Sequence, residues 1–268
     1  MNAPSASRWA SKAIAILLLF LLASCGSTAS SPTYDAAIQE GRTAAQAIID
    51  QGGASAITMA LVDANRIIWS QSFGLADREA GLAPTPSTTF GIGSVSKMFA
   101  AVAVMKLVDR GIINLDVPLV TYLPSFRMAS AGYENITARM LLNHSSGFPG
   151  TDYHNAESYS PMPGYLNQVL QALSTARFKA PPGYMSVYCN DGFTVTEALI
   201  QATTGKSYTQ FVQEEILTPL GMANTRFTRS AFPAGSYATT YADGVAQPQE
   251  FVSVYASGGV HSTANDMG

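Results

Sequence analysis

Cysteine, histidine and charge are all scarce in this chain of 268 residues, and each shortage removes a class of function. There are two cysteines, Cys25 and Cys189, too few to build a zinc site by themselves. The three histidines, His144, His154 and His261, show neither H-E-x-x-H nor H-x-H spacing, so no metal centre is expected. Lys and Arg number 15 against 18 Asp and Glu, for a net charge of -3, and no basic run or basic stripe interleaved with aromatics occurs. Nucleic acid is therefore not an expected partner. Charged residues make up only 12% and hydrophobic ones 47%, which excludes a solvated, disordered polymer and allows a substantial buried core.

A hydrophobic run long enough to span a bilayer is also missing. The apolar stretch at 13–23 follows Arg8 and Lys12 and has the length of the hydrophobic region of a signal peptide. It ends in Leu22-Ala23-Ser24-Cys25, which resembles a lipobox, where small residues admit the peptidase and the Cys25 thiol takes a diacylglycerol. A lipid there holds a protein to a membrane without a spanning helix. The expected organisation is a lipoprotein signal peptide over 1–25, a flexible Ser/Thr/Gly-rich tether over 26–34 and a folded domain over 35–268, in the cell envelope. With Cys25 acylated, Cys189 has no partner for an intramolecular disulfide.

Periodicity supplies the elements. A helix is expected from Asp35, with Ile38, Ala45, Ile48 and Ile49 on one face and Gly52-Gly53 as its stop. Two β-rich runs, 57–62 and 66–73, joined by Asp63-Ala64-Asn65, predict a hairpin that belongs to a larger sheet. A helix over 95–109, ending at Gly111, is apolar almost all round and is expected to be central and buried. Further helices are expected over 137–143, 166–175, 192–203 and 208–217, the last stopped by Pro219. A hairpin followed by long helical stretches predicts an α/β (α+β) fold, an α/β lobe with an antiparallel sheet beside an all-helical lobe.

The chemistry lies at the head of the apolar helix. Ser94-Val95-Ser96-Lys97 sets a hydroxyl and an amine three residues apart, on one face and within reach of each other. A serine hydroxyl needs a proton acceptor to become a nucleophile, and a poorly solvated lysine amine can serve. The helix N-terminus favours negative charge developing on Ser94. S-x-x-K is a common pattern, and a helix-terminal serine beside a solvated lysine is the competing reading.

Longer segments carry a resemblance. Phe90-Gly91-Ile92-Gly93-Ser94-Val95-Ser96-Lys97 resembles the nucleophile segment of the serine β-lactamase and penicillin-binding-protein superfamily, in its class C β-lactamase, DD-carboxypeptidase and esterase branches. Leu141-Leu142-Asn143-His144-Ser145-Ser146-Gly147-Phe148-Pro149, Pro219-Leu220-Gly221-Met222 and Gly258-Gly259-Val260-His261-Ser262-Thr263 are similar to later segments of that superfamily, in the same order. The resemblance implies a β-lactamase/transpeptidase-like fold and a serine hydrolase. Its expected chemistry is acyl-enzyme formation on an amide or ester (a β-lactam, a D-amino-acid peptide or a small ester), with no cofactor. It also implies a Y-x-N motif, of which the chain holds four, at Tyr133, Tyr153, Tyr165 and Tyr188. Position after Pro182-Gly183 selects Tyr188-Cys189-Asn190: Tyr188 is expected to exchange protons with Ser94, and Asn190 to orient the substrate carbonyl. The other three are expected to be surface turns. His144 is expected to bond within its own turn, Cys189 to be a packing residue, and His261 to be a substrate-rim or satisfied polar residue.

The third motif of the superfamily, K-x-G, H-x-G or W-x-G on an inner strand, has no counterpart: no Lys, His, Arg or Trp is followed two residues later by Gly. The expectation is a C-terminally truncated domain with an incomplete sheet and open apolar edges on the hairpin. The competing functions are a non-catalytic lipoprotein that holds peptidoglycan or a partner, and an inactive fragment.

Overall fold

A computed structural model describes residues 33–268; the expected signal peptide, Cys25 and nearly all of the tether lie outside the described residues. The described residues fall into two units, 33–41 and 42–268. The expected first helix is α1 (Asp35–Asp50). The hairpin is formed by β1 (Ala56–Asp63) and β2 (Arg66–Gly74), antiparallel from Ala56↔Gly74 to Asp63↔Arg66 with a bulge at Leu61/Val62. Its turn residues, Ala64 and Asn65, both have positive φ (46° and 63°), as the tight hairpin turn whose twist matches the strands requires. Contrary to expectation, the hairpin is a two-stranded sheet of its own among the described residues. Val62 and Ile67, near its turn, are exposed.

After β3 (Phe90–Gly91) the chain makes a 3-10 turn, Gly93–Ser96, and enters α2 (Lys97–Asp109). The expectation of an all-round buried helix is corrected here. Phe99, Ala100, Ala103, Val104 and Leu107 are buried, whereas Val95, Met98, Val102 and Met105 are exposed. Apolar composition shows which faces can be covered, and only a packed partner covers them.

The helical part comprises α3 (Leu119–Tyr122), α4 (Ala138–Leu142), α5 (Tyr165–Thr175), α6 (Asn190–Thr204) and α7 (Tyr208–Val212), which runs on into a π-helical turn, Gln213–Leu217. Thr137 caps α4 through the Met140 amide, and Ser207 caps α7 through the Gln210 amide. α6 is enclosed by α2, α4, α5 and α7, so every residue from Asp191 to Ile200 is buried. Burial of Val195, Leu199 and Ile200 contributes roughly 1.5–3 kcal/mol each. The same enclosure buries polar Thr194, Thr196 and Glu197.

Short strands complete the architecture: β4 (Glu157–Ser158), β5 (Arg226–Phe227), β6 (Tyr241–Ala242), β7 (Val245–Ala246), β8 (Phe251–Val252) and β9 (Val260–Ser262), then a terminal turn of helix, α8 (Ala264–Met267). β9 lies between β3 and β5, antiparallel to both. The fold is a mixed α/β one with antiparallel sheets, as the sequence predicts. Among the described residues no helix is long and apolar enough to cross a membrane.

Candidate active site

The nucleophile turn is fastened to β9 on both sides. The Ile92 amide donates to the Val260 carbonyl (3.1 Å), and the fully buried Ser96 hydroxyl accepts from the Val260 amide (3.0 Å). Ser96, an unspecified position in S-x-x-K, thus has a structural task. Gly93 has φ +50°, a conformation that disfavours side chains, although a Cβ there would meet nothing within 4 Å. Gly91 serves differently: its Cβ would lie 3.2 Å from His261 Nε2.

Ser94 Oγ lies 2.5 Å from Tyr188 Oη and 3.1 Å from Lys97 Nζ. Lys97 Nζ also donates to the Ser257 carbonyl at 2.8 Å and sits over the rings of Tyr188 (4.7 Å) and Phe193 (5.4 Å). The amine is therefore shielded by α6 and the 254–259 turn rather than by its own helix. Burial by itself would raise the Tyr188 phenol, but the Lys97 ammonium and the Ser94 hydroxyl outweigh it and hold the phenol below its ordinary value. A base and a nucleophile at hydrogen-bonding distance, with a cation beside both, form a proton relay.

The relay opens on a cavity of about 760 Å³ that Ser94, Asn190, Tyr153, Ser257 and His261 help to line. The structure brings Ser94, Lys97 and Tyr188 into contact and places Asn190 in the wall of the same cavity. Asn190 Nδ2 faces Tyr153 Oη at 3.5 Å, and its Oδ1 is buried without a partner in the structure.

A family model described as Beta-lactamase matches residues 36–268. The chain belongs to the beta-lactamase family. It is 30% identical over 221 residues to the D-alanyl-D-alanine-carboxypeptidase/endopeptidase AmpH of Escherichia coli K12, covering 80% of this chain and 56% of that protein. The chain spans about half the length of the curated relatives it matches, or less. Among solved structures, a class C beta lactamase from Rhodobacter sphaeroides aligns with a TM-score of 0.70 at 24% identity, over 84% of this chain and 62% of that one. A D-amino acid amidase from Ochrobactrum anthropi SV3 aligns with a TM-score of 0.70 at 23% identity, over 84% and 69% of the two chains. These two likenesses concern the fold.

Within this beta-lactamase-family site, several expectations need correction. Tyr165 is no surface turn: it is 4% exposed on α5, and its hydroxyl donates to the Asp152 carbonyl. Tyr153 is exposed but stands beside Asn190, on a loop fixed from α6. There the Asn190 amide donates to Thr151 Oγ1 (3.0 Å) and the Asp191 carboxylate accepts from the Asp152 amide (3.2 Å). Burial pushes the Asp191 carboxyl up to about 6. Tyr133 does lie in a short turn, Tyr133–Asn135. Cys189 packs as expected, 3% exposed, with Sγ against the Gly150 carbonyl at 3.1 Å. His261 lines the cavity, yet its Nδ1 is buried without a partner, and burial lowers the imidazole to about 4.

His144 reaches outside its own turn. Its Nδ1 accepts from the Cys189 amide (3.2 Å), and its ring lies 4.6 Å from the Tyr188 ring. Burial and the charge of Lys97 lower its pKa, which favours the neutral imidazole whose Nδ1 can accept. His144→Ala is expected to slow reaction at Ser94 about tenfold, the kinetic equivalent of one hydrogen bond, by freeing the Tyr188 backbone. Adduct formation at saturating reagent checks this, and an unchanged rate in a folded variant refutes it.

Proposed function

We propose that this chain is a serine hydrolase that forms an acyl-enzyme on Ser94 with a small amide or ester: a β-lactam, a D-amino-acid peptide or a small ester. The single observation that supports it most is the contact of Ser94 Oγ with both Tyr188 Oη and Lys97 Nζ. In the proposed reaction the Tyr188 phenolate, kept accessible by Lys97, takes the Ser94 proton as Oγ attacks the substrate carbonyl. The carbon–nitrogen or carbon–oxygen bond to the leaving group then breaks, and Tyr188 returns the proton to that group. Water repeats the sequence on the ester: Tyr188 takes its proton, the acid departs, and Ser94 Oγ regains a hydrogen. Asn190 orients the carbonyl from the cavity wall. The helical run from Gly93 supports negative charge at Ser94.

The reading extends to location. Arg8, Lys12, the apolar run and Cys25 support lipid attachment at the cell envelope, and a carboxypeptidase/endopeptidase among the relatives accords with a substrate found there. The deciding experiment incubates the folded chain separately with a fluorescent penicillin and a fluorophosphonate, then takes intact mass and maps the modified peptide. A stoichiometric adduct on Ser94 is expected. No adduct from either reagent, or one on another residue, overturns the proposal.

A further inference from the structure

The reaction just described leaves a buried carboxyl unused. Glu197 lies two turns along α6 from Asn190, is 4% exposed, and accepts a hydrogen bond from the Ala256 amide through Oε1 at 2.8 Å. A leucine would fill such a place at no electrostatic cost, so the carboxyl calls for a reason. The turn it holds supplies one. In the 254–259 segment the amides of Ser257, Gly258 and Gly259 all donate to the Val254 carbonyl, at 3.1, 2.8 and 3.0 Å. Those bonds shape the turn but do not attach it to anything else. Ties on two sides do: Val260 to Ser96 and Ile92 on the nucleophile side, and Ala256 to Glu197 on the α6 side. Between these two ties lies the Ser257 carbonyl that accepts from Lys97 Nζ.

We propose that Glu197 is a positioning residue: by gripping the Ala256 amide it sets the Ser257 carbonyl, which holds the Lys97 amine against Ser94. Tyr188 directly precedes the N-cap of α6, Cys189, and Glu197 on the same helix fixes the amine, so one helix registers both members of the relay. The inference rests on the acyl-enzyme reading for its role in catalysis, and on geometry alone for its effect on Lys97. Phenols surround the carboxyl: Tyr208 on α7, Tyr255 on the turn and Tyr165 on α5 are all raised by burial, with Glu197 adding to each, while Arg229 opposes the rise at Tyr255. Asp191 lies on the same helix. Burial holds Glu197 itself neutral up to about pH 8.

Two variants separate positioning from packing. Glu197→Gln keeps an acceptor for Ala256; Glu197→Met keeps the volume and removes the acceptor. In the full chain, Glu197→Met is expected to slow adduct formation at saturating fluorophosphonate by about tenfold, with half-saturation unchanged. Glu197→Gln is expected to stay within about threefold of the parent, less than the loss of one hydrogen bond. In parallel, NMR of the lysine ε-carbons reads the Lys97 titration, expected to move in Glu197→Met and to hold in Glu197→Gln below pH 8. A folded Glu197→Met that matches the parent in both readouts, or a Gln variant as impaired as the Met one, overturns the inference. If the parent forms no adduct, the acyl-enzyme reading fails and the Lys97 titration alone decides. If Glu197→Met does not fold, the parent is compared with Glu197→Gln above pH 8. There an ionised Glu197 is expected to shift Lys97 in the parent only, and identical curves overturn the inference.

Discussion

Lys97→Ala is expected to slow acylation of Ser94 by about three to four orders of magnitude, the upper part of the range for loss of a positioned proton-transfer system. The size follows from how much converges on one amine. Its Nζ bonds Ser94 Oγ and the Ser257 carbonyl and lies over the Tyr188 and Phe193 rings. Without it, the burial that acts on Tyr188 is no longer outweighed, and the phenol rises instead of falling. The base then loses its proton only at higher pH, and Ser94 loses one of its two partners. Two signatures distinguish this from general damage. The rate in the parent should climb with pH at values below those of an ordinary phenol, and in Lys97→Ala the climb should move upward. Lys97→Arg should restore little, because the planar guanidinium cannot occupy the point between Ser94 Oγ and the Ser257 carbonyl that a compact ammonium fills. Intact-mass kinetics over a pH series measure both. A variant within tenfold of the parent, with the same pH profile, would remove Lys97 from the relay.

What the sequence makes legible here is what is local. Ser94 and Lys97 share one helical start, so their spacing alone brings them together, and the hairpin is readable because alternation and the Asp63-Ala64-Asn65 turn are contiguous. Tyr188 was found only through resemblance and order, since four Y-x-N motifs compete and none advertises its distance from Ser94. Tyr153 and Tyr165 mark where local reading ends. One faces Asn190 across 37 positions, the other enters the core through α5, and a Y-x-N pattern says nothing of either. Glu197 was unreadable for the same reason: its partner, Ala256, is 59 residues away. The exposed face of α2 shows the opposite error, in which composition was read as packing.

Glu197→Gln is expected to stabilise the protein at pH 7–8 by about 3–4 kcal/mol, with the gain shrinking towards zero near pH 4.5. The carboxyl rises from an ordinary value of 4.5 to about 8 in the folded chain because burial penalises its charge. Between those values the folded state holds a proton that the unfolded state has released. Wild-type stability therefore falls as pH climbs from 4.5 through 8 and levels off above. The full interval corresponds to about 5 kcal/mol, and most of it has accrued by pH 8. Glutamine keeps the acceptor for Ala256 and has nothing to ionise, so this slope vanishes from its curve. Asp191, raised to about 6, gives a slope of the same sign, but it is present in both proteins and cancels in the difference. Urea unfolding at pH 5, 7 and 8.5 should give curves that nearly coincide at the lowest pH and separate progressively above it. Parallel curves at all three would mean that Glu197 ionises freely in the folded chain, and that water reaches the face of α6 where the carboxyl meets the Ala256 amide.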